Sequence, residues 1–187
     1  SIEENAHQAD VRTAAILNST DPNLRPFKQQ GGKLIQYVGW GDTAISPEND
    51  INYHHAVTQE MGGHEETREF YRLFMVPGMA HCGGGPGPNA FGQPFSVNGP
   101  NPSDASDDIL TALDQWVEHG RAPDQIVATK YVNDDPTQGI AFQRPLCPFP
   151  QFGKYKGTGS TTSAASFACV SPDDDDHHDH DKEASNR

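Results

Sequence analysis

Apolar and polar positions along the 187-residue chain fall into short runs broken by turn residues. Residues 2–17 (IEENAHQADVRTAAIL) read as a helix. Lys33 to Val38 (KLIQYV) is an apolar-rich run with glycine on both sides, which predicts a buried strand. It ends in Gly39-Trp40-Gly41-Asp42, a tight turn carrying an acid. Asp50 is the expected N-cap of a helix reaching about Met61 and closed by Gly62-Gly63. Phe70 to Val76 (FYRLFMV) predicts a second strand, stopped by Pro77-Gly78. Residues 86–106 are rich in Pro, Gly and Asn and predict a long irregular loop, the kind that is functional or lies against something.

The clearest helical period covers Ile109 to His119, with Asp107 or Asp108 as its cap. Ile109, Leu110, Leu113, Trp116 and Val117 are expected to form its apolar face, and Gly120 followed by Pro123 to end it. Ile126 to Val132 predicts a strand, with Ile140 to Arg144 pairing back on it around Asp134-Asp135-Pro136. After Pro145 the pattern predicts mostly coil, and no internal repeat is visible.

Composition narrows the partners. The length fits one domain. The formal net charge of −13 argues against nucleic acid, and no apolar run is long enough for a membrane helix. The mean hydropathy of −0.72 is low for a self-contained domain, so either much of the chain is loop or part of its core comes from elsewhere. Domain organisation is read as 1–170 for the folded portion and 171–187 for an acidic, His-rich tail. The stretch 173–187 (DDDDHHDHDKEASNR) carries seven acids and two bases and has no apolar period, so it is expected to be solvated, a solubilising tail rather than a cation site. Ser1 is not an initiator Met and no signal peptide precedes the first helix, so the start reads as a cut end.

Three cysteines add a second constraint: Cys82, Cys147 and Cys169. Their spacing fits no zinc pattern. Cys147 and Cys169 flank a loop rich in Gly, Ser and Thr, where a disulfide is a sensible staple. That leaves Cys82 as a free thiol or an intermolecular partner. Asn18-Ser19-Thr20 is an N-glycosylation acceptor in a secreted protein.

The chemically useful order is strand, Asp42, helix, strand, His81. A strand-end acid followed by a His in the loop after the next strand is how the last two members of a Ser–Asp–His triad appear in α/β hydrolases. In that role the acid fixes the imidazole tautomer and the His moves the proton. The nucleophile is missing: no strand–GxSxG–helix pattern precedes Asp42, and Ser19 and Ser46 lack that context. A strand-end Asp after Gly is also a common turn residue. His81, between a Pro-Gly turn and a Gly run, sits in a poor place for a core histidine. His54 and His55 read as structural or solvated, and Asp104, Asp107 and Asp108 as caps. Gly83-Gly84-Gly85 lacks the Lys-Ser/Thr and the helix of a phosphate loop.

The stretches GGKLIQYVGWGD (31–42), FYRLFMVPGMAHCGGGPG (70–87), the helix IL-ALDQWVEHGRAPD (109–124), ATKY (128–131) and RPLCPFP (144–150) resemble the tannase and feruloyl esterase family, VPGMAHC most specifically. The resemblance covers nearly all of 20–170. It implies an α/β class, the C-terminal part of an α/β-hydrolase sheet with its helices, with the nucleophile part and a lid domain outside this chain. The family's triad follows a CS–D–HC pattern, and the Cys before the nucleophilic Ser is disulfide-bonded to the Cys after the catalytic His.

By that match Asp42 and His81 are triad acid and base. Cys82 is the disulfide partner of a Cys in an N-terminal chain of the same precursor, and Cys147 pairs with Cys169. Some members are cut into two disulfide-linked chains, and this sequence is similar to the C-terminal one. No cofactor is implied in this chain; Ca²⁺ belongs to the lid of the partner chain. The implied activity is hydrolysis of aromatic-acid esters by a secreted, extracellular enzyme. Feruloyl esters are favoured over galloyl esters by the short Asp42–His81 segment. The alternative is a chain that only binds or completes the fold.

Overall fold

The structure, a computed structural model, describes residues 1–94 and 104–172. The acidic run 173–187 lies outside the described residues, as does 95–103 within the predicted loop. The elements run α1 (Ile2–Leu17), α2 (Arg25–Gln29), β1 (Leu34–Gly39), α3 (Pro47–Glu60), α4 (His64–Arg68), β2 (Tyr71–Val76), α5 (Ile109–His119), β3 (Ile126–Tyr131), β4 (Ile140–Leu146), β5 (Phe152–Tyr155) and β6 (Phe167–Val170).

β1 and β2 are parallel, in register from Leu34 opposite Tyr71 to Gly39 opposite Val76. α3 and α4 make the crossover that parallel pairing requires. β2 is buried on both faces, which explains an apolar reading interrupted only by Arg72. Tyr71 and Leu73 join Val38, Val57, Met61 and Phe70 on the α3 side. Phe74 and Val76 join Met79, Phe91, Ile109, Ala112, Ile126, Ala128 and Leu146 on the other. β3 and β4 form an antiparallel hairpin, and the chain leaving β4 meets the second edge of β2, where Phe149 N donates to Leu73 O at 2.7 Å.

Three expectations are corrected. The third helix begins at Pro47 after Ser46 and not at Asp50. Asp50 lies inside the first turn, and its carboxylate is taken by the Gln36 amide of β1, which leaves it no role as a cap. The apolar face of α5 is Ile109, Ala112 and Trp116, with Leu113 half-buried; Leu110 and Val117 are exposed. At 100° per residue those two fall roughly 80–100° from Ile109, off the stripe. The stretch after Pro145 is not mostly coil: β5 and β6 pair from Phe152 opposite Val170 to Tyr155 opposite Phe167. The Cys147–Cys169 disulfide, with Cα atoms 5.6 Å apart, ties this hairpin to the end of β4.

The described part of the loop after β2 is irregular, as its composition predicts, and lies against β3. Asn89, Ala90, Phe91 and Gln93 are buried, and Ala90 bridges Thr129 of β3. This segment is core, built from main-chain pairing that composition does not reveal. α1, by contrast, buries no residue; Ile2, Val11, Ile16 and Leu17 all lie in solvent. Asp108 caps α5 by accepting from Thr111 N, and Gly120 closes it in the left-handed conformation.

Candidate active site

The C-terminal ends of β1 and β2 are knitted together. Trp40 N donates to Val76 O at 3.0 Å, and Gly41 N to Met79 O at 2.9 Å. The approach leaves no room for a side chain, since a Cβ on Gly39 would stand 2.2 Å from Met79 O. The glycines around Trp40 are therefore what brings the Asp42 turn against the loop that carries His81.

Asp42 holds its own turn. Its Oδ1 accepts from Ala44 N at 2.8 Å and Ile45 N at 3.0 Å, an Asx-type turn. Its Oδ2 accepts from His81 Nδ1 at 2.7 Å. The Ile45 N–H above all, with the His81 bond and the Ala44 N–H, holds the carboxyl below the usual aspartate range, and together they outweigh burial, which pushes the other way. A carboxylate only accepts, so Nδ1 carries the proton and Nε2 is left as the basic nitrogen. Nε2 has no partner among the described residues, and none of their serine hydroxyls bonds His81.

The loop around His81 is tightly wound. Ala80 N donates to Gly84 O, Gly87 N to Gly78 O, and Cys82 adopts φ 60°. Gly85 has φ 83°, and a Cβ there would sit 2.3 Å from Gly78 O. From beneath, Lys130 of β3 donates Nζ to Gly85 O at 2.6 Å and pairs with Asp134. Asn89 Nδ2 donates to the same Asp134 oxygen at 3.0 Å. Nothing in the sequence marks this brace. Lys130 and Asp134 stand four apart, but in a strand and the turn after it, where that spacing carries no signal.

Of the other singled-out residues, Cys82 is a half-buried thiol with no disulfide partner among the described residues. Asn18 caps the C-terminal end of α1 and is exposed. His54 is buried against Tyr71 and Phe149, and His55 is exposed. Among the described residues no group of three or more His, Cys, Asp or Glu could hold a metal ion, and no helix is long and apolar enough to cross a membrane.

The family model "Tannase and feruloyl esterase" matches residues 1–170. The chain belongs to the tannase and feruloyl esterase family. An uncharacterized esterase of Xanthomonas campestris is 41% identical over 171 residues, covering 84% of this chain and 29% of that protein. The mono(2-hydroxyethyl) terephthalate hydrolase of Piscinibacter sakaiensis is 40% identical over 155 residues, covering 82% of this chain and 22% of that protein. Feruloyl esterase B of Aspergillus oryzae superposes with a TM-score of 0.79 at 33% identity, over 89% of this chain and 32% of that one. The fold is thus α/β-hydrolase-like, and the chain spans under a third of the length of these relatives.

Proposed function

We propose that this chain supplies the acid and the base of a serine-type carboxylic ester hydrolase acting on esters of aromatic acids, feruloyl esters foremost. The supporting observation is the 2.7 Å contact between His81 Nδ1 and Asp42 Oδ2 at adjoining strand ends. The names of the family relatives supply the substrate class: a feruloyl ester and a terephthalate monoester both join an aromatic acid to an alcohol.

In this reading the nucleophilic serine and the donors for the oxyanion come from sequence outside 1–187. His81 Nε2 takes the serine proton as the oxygen attacks the ester carbonyl. It returns that proton to the leaving alcohol, then activates the water that releases the acid. Asp42 stabilises the imidazolium and holds its tautomer. Cys82, beside His81, would bond the cysteine next to the serine and fix the two groups at hydrogen-bonding distance. The described residues of this chain do not fit a calcium ion, and no step passes through one. The Cys147–Cys169 disulfide and the exposed Asn18 acceptor favour an oxidising, extracellular setting.

The test uses the intact enzyme. A serine-directed phosphonate should label sequence outside this chain, and intact mass with and without reductant should show a disulfide at Cys82. Unchanged methyl ferulate hydrolysis in His81→Ala would sink the proposal. A free Cys82 thiol in active enzyme would remove the disulfide part alone.

A further inference from the structure

Arg72 and His54 line one cavity at the end of β2 opposite Asp42 and His81, and each keeps part of its hydrogen-bonding capacity unused. From Arg72 to Val76, where the dyad loops begin, is four residues of strand, about 13 Å. The Arg72 side chain is 8% exposed. Its Nε donates to Arg68 O at 3.1 Å, Nη1 donates to Pro123 O at 3.4 Å and pairs with Asp124 Oδ1 at 3.3 Å, and the guanidinium lies over the Trp116 ring at 5.7 Å. Nη2, with two further N–H groups, has no acceptor among the described residues. His54 is 3% exposed, and its Nδ1 is buried without a partner. Burial, with the neighbouring His64 and His55, pushes the His54 pKa down to about 4, so the ring is neutral at pH 7. A proton on Nδ1 would face no acceptor, so the N–H belongs on Nε2.

Both side chains line one cavity of about 590 Å³, together with Arg68, His64, Tyr71 and Phe149. Two acids also line it, but at its mouth: the Glu65 side chain is 78% exposed and that of Asp124 85%. The cavity is therefore lined by two guanidiniums, each with one acid partner at the mouth, Arg68 with Glu65 at 3.5 Å and Arg72 with Asp124 at 3.3 Å, and by an imidazole N–H, and the Arg72 Nη2 donors remain without a protein acceptor among the described residues. A cavity-facing guanidinium nitrogen without a protein acceptor is open to a ligand oxygen.

We propose that this cavity binds a small oxyanion, an inorganic phosphate or a compact carboxylate, clamped by Arg72 and Arg68 with a histidine N–H completing the shell. The site is separate from the dyad and does not depend on the esterase reading. Titration calorimetry of the intact protein at pH 7 and low salt, with inorganic phosphate and with benzoate as separate probes, tests it. The expected result is saturable 1:1 binding of at least one probe at a Kd of about 1 mM or tighter. Tighter phosphate binding would assign an inorganic ligand; tighter benzoate binding, an organic acid. Arg68→Gln should weaken binding at least tenfold, as should Arg72→Lys, which keeps the charge and loses the planar fork. Glu65→Gln should not weaken it. No saturable heat with either probe would overturn the proposal. So would binding unchanged in Arg68→Gln, the result expected if benzoate occupied only the dyad.

Discussion

His81 Nδ1 and Asp42 Oδ2 lie 2.7 Å apart, yet the two side chains meet solvent very differently: the imidazole is 52% exposed and the carboxylate 5%. The acid sits beneath the ring, anchored by its own turn. Asp42→Asn should preserve that turn, because an amide oxygen can still accept from Ala44 N and Ile45 N. What it loses is the charge that stabilises the imidazolium and the tautomer that leaves Nε2 basic. In the intact enzyme kcat for methyl ferulate should fall by about 10³–10⁴, with the Tm nearly unchanged. Steady-state kinetics beside a thermal melt separates the two effects. A kcat within tenfold of the parent would mean that Asp42 is only a turn residue.

If His81 is the base, as proposed, Lys130 positions it through the loop. Its Nζ holds Gly85 O at 2.6 Å, and its side chain is only 13% exposed. Lys130→Met keeps the length of the stem but drops the tie between β3 and the His81 loop. A loop displaced by an ångström costs about a hundredfold in rate, so kcat should fall by about 10–100-fold. KM should stay within about twofold, since Lys130 touches the loop and not the mouth of the site. A structural role without positioning would lower the Tm and leave kcat alone.

The parallel pair, α5 and the β3–β4 hairpin were legible because each writes its burial in sequence. KLIQYV and FYRLFMV are short apolar runs between glycines and prolines, and α5 shows a 3.6-residue period between Asp108 and Gly120. The Asp42 turn and the His81 loop were legible for the same reason, as glycine-marked strand ends. What escaped was order held by the main chain or by polar side chains. Ala90 pairs with Thr129 inside a loop whose composition predicts irregularity, and Gln93 is buried because its amide closes on Phe91 N and Asn89 O. β5 and β6 are weak strands, four residues each with little buried surface, brought into register beside the Cys147–Cys169 bond.

That bond should matter to stability and not to chemistry. It closes a loop of sequence separation 22, far from Asp42 and His81 in the chain. Removing it by Cys147→Ser with Cys169→Ser frees the unfolded chain by about 3 kcal/mol on the chain-entropy account. A denaturant melt of the intact protein should show a lower midpoint with a slope equal or somewhat steeper, because the freed unfolded chain exposes more surface, and kcat at 25 °C should stay within about twofold. An unaltered midpoint would mean that pairing of β5 with β6 and packing of Phe149 on Leu73 already hold the hairpin.

His54 predicts a pH dependence of stability. Its pKa in the folded chain is pushed down to about 4, first by burial and then by His64 and His55, whereas an unfolded histidine titrates near 6.5. Between those values the unfolded chain binds a proton that the folded chain refuses, so stability falls as pH drops through that window and loses nothing further to this group below about pH 4. The loss is on the order of 3 kcal/mol. Replacing the ring by one that does not titrate, His54→Phe, keeps an aromatic ring edge-on to Phe149 and tilted on Tyr71 and should flatten the midpoint-versus-pH curve between pH 4 and 6.5. Urea melts at half-unit pH intervals provide the check. A curve as steep in the variant as in the parent would assign the acid sensitivity to other groups.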